Sequence, residues 1–288
     1  SSLSSWYVYQ QNQTRVQTYI ESLSVEIEEL VKKRFEHYEY GLKSVKGLVF
    51  GSGIANLNRA TFKSYIESSN LPVEFPGARG FGFIRRVPLA FESQYIEQVI
   101  ADDALDFSIR TFTPHNKDRF IIEYIYPVNK NDGATGLDIG SEKMRRMAAL
   151  ESAEDGNTKL TAPITLVQAE GKKRRGFLLL LPIYDKVLPF NSANNKINNT
   201  LGWAYAPLVV DEVLAELGIS QKGARLTITD EIESRPFYES AESPNIQFIY
   251  STHTEKTIEF MGRKWFLHID SLPPIAEILG LWSPVWIG

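Results

Sequence analysis

Residues 174–185 read RRGFLLLLPIYD. Two arginines and a glycine lead into Phe177–Leu181, an unbroken apolar run that Pro182 and Asp185 close. A membrane span needs about 20 apolar residues, and a half-buried surface strand alternates apolar with polar. Neither description fits. The stretch predicts a short central strand covered on both faces, fed by a basic turn, EGKKRRG (170–176). Just upstream, KLTAPITLVQ (159–168) also has strand composition, so the two predict a hairpin across that turn.

Working outward, the first 50 residues follow a different period. Val16, Ile20, Leu23, Ile27, Val31, Phe35, Tyr38, Leu42, Val45 and Val49 recur at spacings of three and four. That is one apolar stripe on a helix of roughly 35 residues, about 50 Å long. A stutter near Val31 interrupts a heptad-like pattern, and no proline occurs before Pro72. Two readings follow: a signalling stalk that packs on its own domain or on a second copy, or a long terminal helix without that role. In the stalk reading, Val16, Ile20 and Leu23 contact a second chain as a parallel helix pair.

GSGIANLNRATFKSYIESSN (51–70) breaks the helix and starts a shorter one, with Asn58 as N-cap. Mixed elements follow. RGFGFIRRVP (79–88) is a strand, and LAFESQYIEQVIADDA (89–104) is a helix with Phe91, Tyr95, Val99 and Ile100 as its apolar positions. FSIRTF (107–112) and RFIIEYIYPV (119–128) are strands, GSEKMRRMAALESAEDG (140–156) is a helix closed by Gly156, and GWAYAPLVV (202–210) is a strand. After a connecting helix at 211–220, LTITDE, IQFIYSTHT, KTIEFM and KWFLHIDS supply a second, smaller antiparallel sheet. The expected organisation is a helix over 1–50, a larger α+β module over 51–210 and a smaller one over 211–288.

Composition narrows the function. A net charge of −4 and a pI near 5.7 argue against a chain built to bind nucleic acid. With no cysteine, thiolate metal sites and disulfides are excluded. His37, His115, His253 and His268 are scattered without metal-ligand spacing. No phosphate-binding loop, nucleophile elbow or dinucleotide fingerprint occurs. The expectation is therefore no catalytic residue, no metal and no cofactor. The opening SSLSSWYVYQ reads as the start of a cut fragment. The closing PPIAEILGLWSPVWIG (273–288) reads either as the approach to a membrane segment or as an ordinary terminal strand.

FPGARGFGFIRRV, YPV, LDIGSEKMRRMAALESAEDGNTKLTAPITLVQ, GFLLLLPIYD and GWAYAPL, in that order over roughly residues 75–210, together resemble a CHASE domain. CHASE domains are extracytoplasmic sensory modules attached to histidine kinases, adenylate cyclases and diguanylate cyclases, the plant cytokinin receptors among them. The resemblance implies an α+β fold: a long N-terminal stalk helix followed by two PAS-like modules with antiparallel sheets. It puts a ligand pocket in the membrane-distal module and implies flanking transmembrane segments, a homodimer through the stalk in the intact receptor, and a periplasmic location. A double Cache-type sensor has the same outline. An enzyme or structural adaptor of similar build is the reading from a different class.

The ligand-binding set that goes with the resemblance is Phe83, Tyr124, Asp138, Arg145, Thr161, Val167, Leu180 and Trp203. In the plant receptors an aspartate on the helix before the pocket strand binds a purine. Ungapped counting back from Thr161 puts Arg145 there, and the family's polar threonine corresponds to Leu180. A donor replaces an acceptor, so the expected ligand is an organic acid or another acceptor-rich small molecule rather than a plant-type cytokinin. Small neighbours on the same helix face give Arg145 room to reach the pocket, while Arg146 lies about 100° further round.

Overall fold

The computed structural model describes residues 2–131, 133–167, 173–185, 193–240 and 252–271. The apolar stripe organises the first element, α1 (Ser2–Ser52). All ten stripe positions from Val16 to Val49 are buried within the single chain. The helix is longer than the roughly 35 residues expected, because the apolar residues before Val16 cluster at 6–9 and do not continue the stripe at spacings of three and four. Burial also corrects the dimer contact: Val16, Ile20 and Leu23 are covered by their own chain and are not a free face for a second one.

The chain forms two compact units, and the helix expected to stand apart over 1–50 is divided between them. Residues Arg34–Val213, with Glu259–Arg263, make the larger unit; Ser1–Lys33, Leu214–Ile258 and the chain from Lys264 onward make the smaller. The architecture is α+β with antiparallel sheets, of the PAS-like kind.

In the larger unit, α2 (Arg59–Glu67) starts where Asn58 Oδ1 accepts the Thr61 N–H at 2.9 Å, and a short α3 (Leu71–Glu74) follows. The strands are β1 (Phe81–Val87), β2 (Arg110–Thr111), β3 (Arg119–Tyr126), β4 (Leu137–Asp138), β5 (Lys159–Leu160), β6 (Ile164–Val167), β7 (Lys173–Tyr184) and β8 (Thr200–Val209). They interleave with α4 (Glu92–Ala101), α5 (Lys143–Asp155) and α6 (Ala193–Asn198), and α7 (Val210–Leu214) follows β8. The strand expected over 107–112 shrinks to exposed β2. In the helix expected over 89–104, Tyr95 and Val99 are buried, whereas Phe91 and Ile100 are exposed. Gly156 closes α5 at φ 87°, a left-handed conformation that costs glycine nothing.

The sheet runs β2-β4-β3-β1-β8-β7-β5, with β6 also paired to β7. The greasy run lies on β7, an interior strand near one end of the sheet, between β8 on one side and β5 and β6 on the other. Phe177 and Leu179 turn to the face covered by α1, where Phe35 meets Phe177 edge-on. Leu178 and Leu180 turn to the α5 face, in one cluster with Ala149, Ala153, Trp203 and Tyr205. A strand buried on both faces reads as a continuous apolar run. The hairpin of β6 and β7 is present, with Ile164 opposite Gly176; part of its turn, residues 168–172, lies outside the described residues.

The smaller unit has β9 (Ala224–Asp230), β10 (Tyr238–Glu239), β11 (Thr252–Phe260) and β12 (Arg263–Ser271), in the order β10-β9-β12-β11. THT and KTIEF, expected in separate strands, fall on the single strand β11, and the rest of IQFIYSTHT lies outside the described residues, as does 273–288. Met261 and Gly262 both have positive φ, as the two-residue turn of a tight hairpin requires. Burial alternates along β12: Trp265, Leu267 and Ile269 face in, while Phe266, His268 and Asp270 face out.

Candidate functional site

The α5 face of the larger sheet holds a cavity of about 410 Å³, within the range of small-molecule pockets. Ile122, Ile125, Leu178 and Tyr205 form its floor. A bulge in β3 puts Ile122 and Ile125 on the same side: Phe83 pairs with Tyr124 but Ile84 pairs with Ile122, so Glu123 is the extra residue. Phe112, Ala134, Leu137 and Ile139 supply apolar wall, and Arg79, Arg110 and Arg145 also line the space. None of the described lining residues is acidic.

Arg145 sits in the first turn of α5, where sequence counting put a ligand-facing residue. Glu142 caps that helix, accepting the Met144 and Arg145 N–H groups at 2.9 and 3.0 Å. Its carboxylate stays 3.9 Å from Arg145 Nε, too far for a hydrogen bond. The guanidinium lies 4.3 Å from the Phe112 ring centroid and has one long bond, Nη2 to Thr165 O at 3.4 Å. Its Nε is buried without a partner. Burial pushes the Arg145 pKa down, and Glu142 restores only part of the loss. A cation in this state is under-solvated, and an anion would relieve it.

Two further donors are left open. The Tyr205 hydroxyl is buried with no partner, and burial pushes its pKa well up, so it stays a neutral donor. Arg79 pairs through Nη2 with Glu212 at 2.5 Å while its Nε is unpartnered. Arg110 spends Nη2 on the Gly133 and Thr135 carbonyls.

Of the eight residues expected from the sequence, Arg145 alone lines this cavity. Leu180 and Trp203 lie on the same face as this cavity but two residues along their strands from the residues that line it, Leu178 and Tyr205. Trp203 Nε1 donates to Ala149 O and Ser152 Oγ, both at 2.9 Å, under α5. Thr161 is a clamp on the strand: its N–H donates to Leu178 O and its Oγ1 accepts the Leu178 N–H, each at 3.0 Å. Val167 ends β6, and Thr165, two residues before it, lines the cavity; the Val167 side chain lies outside what is described. Asp138 is fully engaged, accepting the Phe120 and Gly140 N–H groups at 2.9 Å on Oδ1 and facing His115 Nε2 at 2.8 Å on Oδ2. It fixes the turn that carries Ile139. Arg146 faces away, donating to Asp118 O and Gly140 O.

Phe83 and Tyr124 belong to the opposite face. There a second cavity of about 630 Å³ is lined by Arg85, Tyr95, Asp102, Glu123 and Tyr124, among others. Arg85 forks onto Glu123, with Nη2 to Oε1 at 2.8 Å and Nε to Oε2. Burial opposes the Arg85 charge, but Glu123 outweighs it and holds that pKa up. The Tyr124 hydroxyl donates to Asp102 at 3.0 Å; burial, with Glu123 and Asp102 adding to it, pushes its pKa far up.

Arg79, Arg110, Phe112, Thr165 and Tyr205 were not found from sequence. Arg79 and Phe112 stand in quoted strand segments with nothing local to mark them, and Tyr205 belongs to GWAYAPL, where a step of two from Trp203 would have reached it.

The family model described as "CHASE domain" matches residues 55–245. Comparison with curated proteins gives no match. Among solved structures, "the extracellular domain of the putative histidine kinase soHK1S-Z6" aligns over 94% of this chain and 98% of its own, at 13% identity and a TM-score of 0.48. With the match spanning both the cavity-bearing sheet and the start of the smaller one, the chain belongs to the CHASE domain family, the extracytoplasmic sensory domains of receptors.

Proposed function

We propose that this CHASE domain senses a small carboxylate-bearing metabolite in the 410 Å³ cavity of its larger unit. The observation that supports it most is the unmatched polarity of that space: Arg145 Nε and Tyr205 Oη are buried donors without partners, and no described lining residue is acidic. A planar carboxylate accepts from a guanidinium and a phenol at once, while its carbon skeleton rests on Leu178, Ile122 and Phe112. A purine that must donate to an acid finds none here.

In this reading the chain is the periplasmic part of an inner-membrane histidine kinase or diguanylate cyclase, flanked by transmembrane segments. Ligand binding shifts the population of conformers of α1 and of the C-terminal segment, and the energy transferred is bounded by the ligand's differential affinity, about 1–3 kcal/mol. The fragment performs no catalysis. The receptor is a homodimer through the helix, and the contact uses positions outside the covered stripe; Trp6 and Tyr7 are exposed there.

The test is calorimetric titration of the purified chain with a panel of mono- and dicarboxylates, with adenine-type purines at equal concentration. A carboxylate binds, and Arg145→Ala weakens it by about tenfold to a hundredfold, the loss of one charge-assisted bond of about 1.5–3 kcal/mol. Arg146→Ala leaves affinity unchanged. Binding of purines but not carboxylates, or equal affinity in wild type and Arg145→Ala, overturns the reading.

A further inference from the structure

The outward face of the smaller sheet gathers side chains that the sequence keeps apart. Strand alternation turns His253 and Glu255 of β11 outward, and His268 and Asp270 of β12 outward beside them. The turn at Met261 and Gly262 sets the register. Counting outward from it puts His253 opposite Asp270 and Glu255 opposite His268, and the Thr252–Ser271 bond agrees with that count. On the other side of β12, Asp270 pairs with Arg225 of β9. Two rows therefore cross the sheet side by side: Arg225–Asp270–His253 and His268–Glu255.

We propose that His253, Glu255 and His268 form a zinc site. One ligand atom from each lies within 4.8 Å of the other two. Glu255 Oε1 is 3.3 Å from His253 Nε2 and 3.1 Å from His268 Nδ1. Donors about 2.0–2.1 Å from a tetrahedral metal stand about 3.3 Å apart along each edge. The imidazole planes are nearly parallel, 17° apart with centroids at 5.9 Å. Two nitrogens and one carboxylate oxygen suit a borderline divalent ion such as zinc and not magnesium or calcium, which prefer all-oxygen shells.

The surrounding groups give a second, independent sign. The far nitrogen of His253, Nδ1, meets Asp270 Oδ1 at 3.0 Å. Arg225 in turn holds Asp270 Oδ2, at 2.9 Å through Nη2. A carboxylate on the nitrogen opposite the metal fixes the tautomer that leaves Nε2 free to coordinate. This arginine–carboxylate–imidazole relay is the support a metal-binding histidine requires. Three protein ligands leave a fourth position for water or a group from elsewhere. Because the ligands come from both arms of the hairpin, the ion would clamp β11 to β12.

The experiment titrates the tag-free 288-residue chain with zinc chloride by calorimetry and with cobalt(II) as a visible probe of geometry. One zinc binds per chain, and cobalt gives the intense ligand-field bands of a tetrahedral site. His253→Ala and His268→Ala each weaken zinc binding by more than tenfold. Asp270→Asn, which keeps all three ligands, weakens it by about tenfold to a hundredfold. His37→Ala, remote in sequence and outside the cluster, changes nothing. The substituted histidines are on the open face, so circular dichroism stays that of wild type and loss of zinc is not loss of fold. Equal zinc affinity in wild type and both cluster variants, no zinc uptake by wild type, or uptake of calcium in preference to zinc overturns the proposal.

Discussion

The two faces of the larger sheet each carry buried arginine, and they treat it in opposite ways. On the α2 side, Arg85 is matched by Glu123, which is only 4% exposed, in a forked pair, and Asp102 accepts both the Arg59 N–H and the Tyr124 hydroxyl. Charges are paired there within the protein, although Arg59 Nη2 and the Tyr95 hydroxyl stay buried without partners. On the α5 side, Arg145 and Tyr205 line a space with no described acid, and each has a buried donor without a partner. The faces differ in charge pairing: Arg85 has its carboxylate within the protein, whereas Arg145 lacks a close one. The larger cavity is the one with paired charges, about 630 against 410 Å³, so size and charge favour different faces. Charge bookkeeping separates them.

The largest effect should come from breaking the balanced face. Glu123→Ala leaves Arg85 buried against nothing, and removing one partner of a buried pair costs about 3–5 kcal/mol. Urea denaturation should show that loss, while carboxylate binding on the other face survives in the folded fraction. A loss below about 1 kcal/mol would mean that water already serves Arg85, and the contrast between the faces would fall.

The next effect separates two leucines on one strand. Leu180 is fully buried beneath α5, so Leu180→Ala should cost about 2–5 kcal/mol. Leu178 borders the cavity, and part of its surface already faces open space. Leu178→Ala should cost less, at the low end near 2 kcal/mol, yet change ligand preference toward longer carbon skeletons. Equal destabilisation with no change in preference would show that the cavity wall lies elsewhere.

That pair also shows how far the sequence could be read. The apolar run marked a strand covered on both faces, and alternation told which residues share a face, so Leu180 and Trp203 fall on the face that holds the 410 Å³ cavity. What alternation cannot tell is how far along the strand the covering helix ends. α5 covers Leu180 and Trp203 and stops short of Leu178 and Tyr205, a shift of two residues each time. Arg145 escaped this error because it stands in the first turn of α5, at the edge of the cover. Tyr124 goes to the other face because the extra residue in β3, Glu123, breaks the period of two, and Phe83 goes there by plain alternation, since its neighbour Ile84 is the residue opposite Trp203. His253 and His268 stand 15 positions apart in the chain, and only the hairpin register makes them neighbours.

The smallest effect on stability is also the sharpest question about the unbalanced face. Tyr205→Phe removes one oxygen and keeps the ring in its place. Where a buried hydroxyl has a protein partner, the change costs about 0.5–1.5 kcal/mol; where it has none, deleting it removes a desolvation penalty. Tyr205 Oη has none, and burial keeps it from ionising to seek one. Stability of the ligand-free protein should therefore stay level or rise, with no new pH dependence, because the phenol is neutral across the working range. Affinity for the carboxylate should still fall, by about threefold to tenfold, the worth of one neutral hydrogen bond. A variant that is more stable when empty yet binds less well can arise only if the hydroxyl serves the ligand and not the fold. Should Tyr205→Phe instead lose more than about 1 kcal/mol by denaturation without ligand, the hydroxyl is bonded within the protein, and Arg145 and Arg79 would be the donors left to define the site.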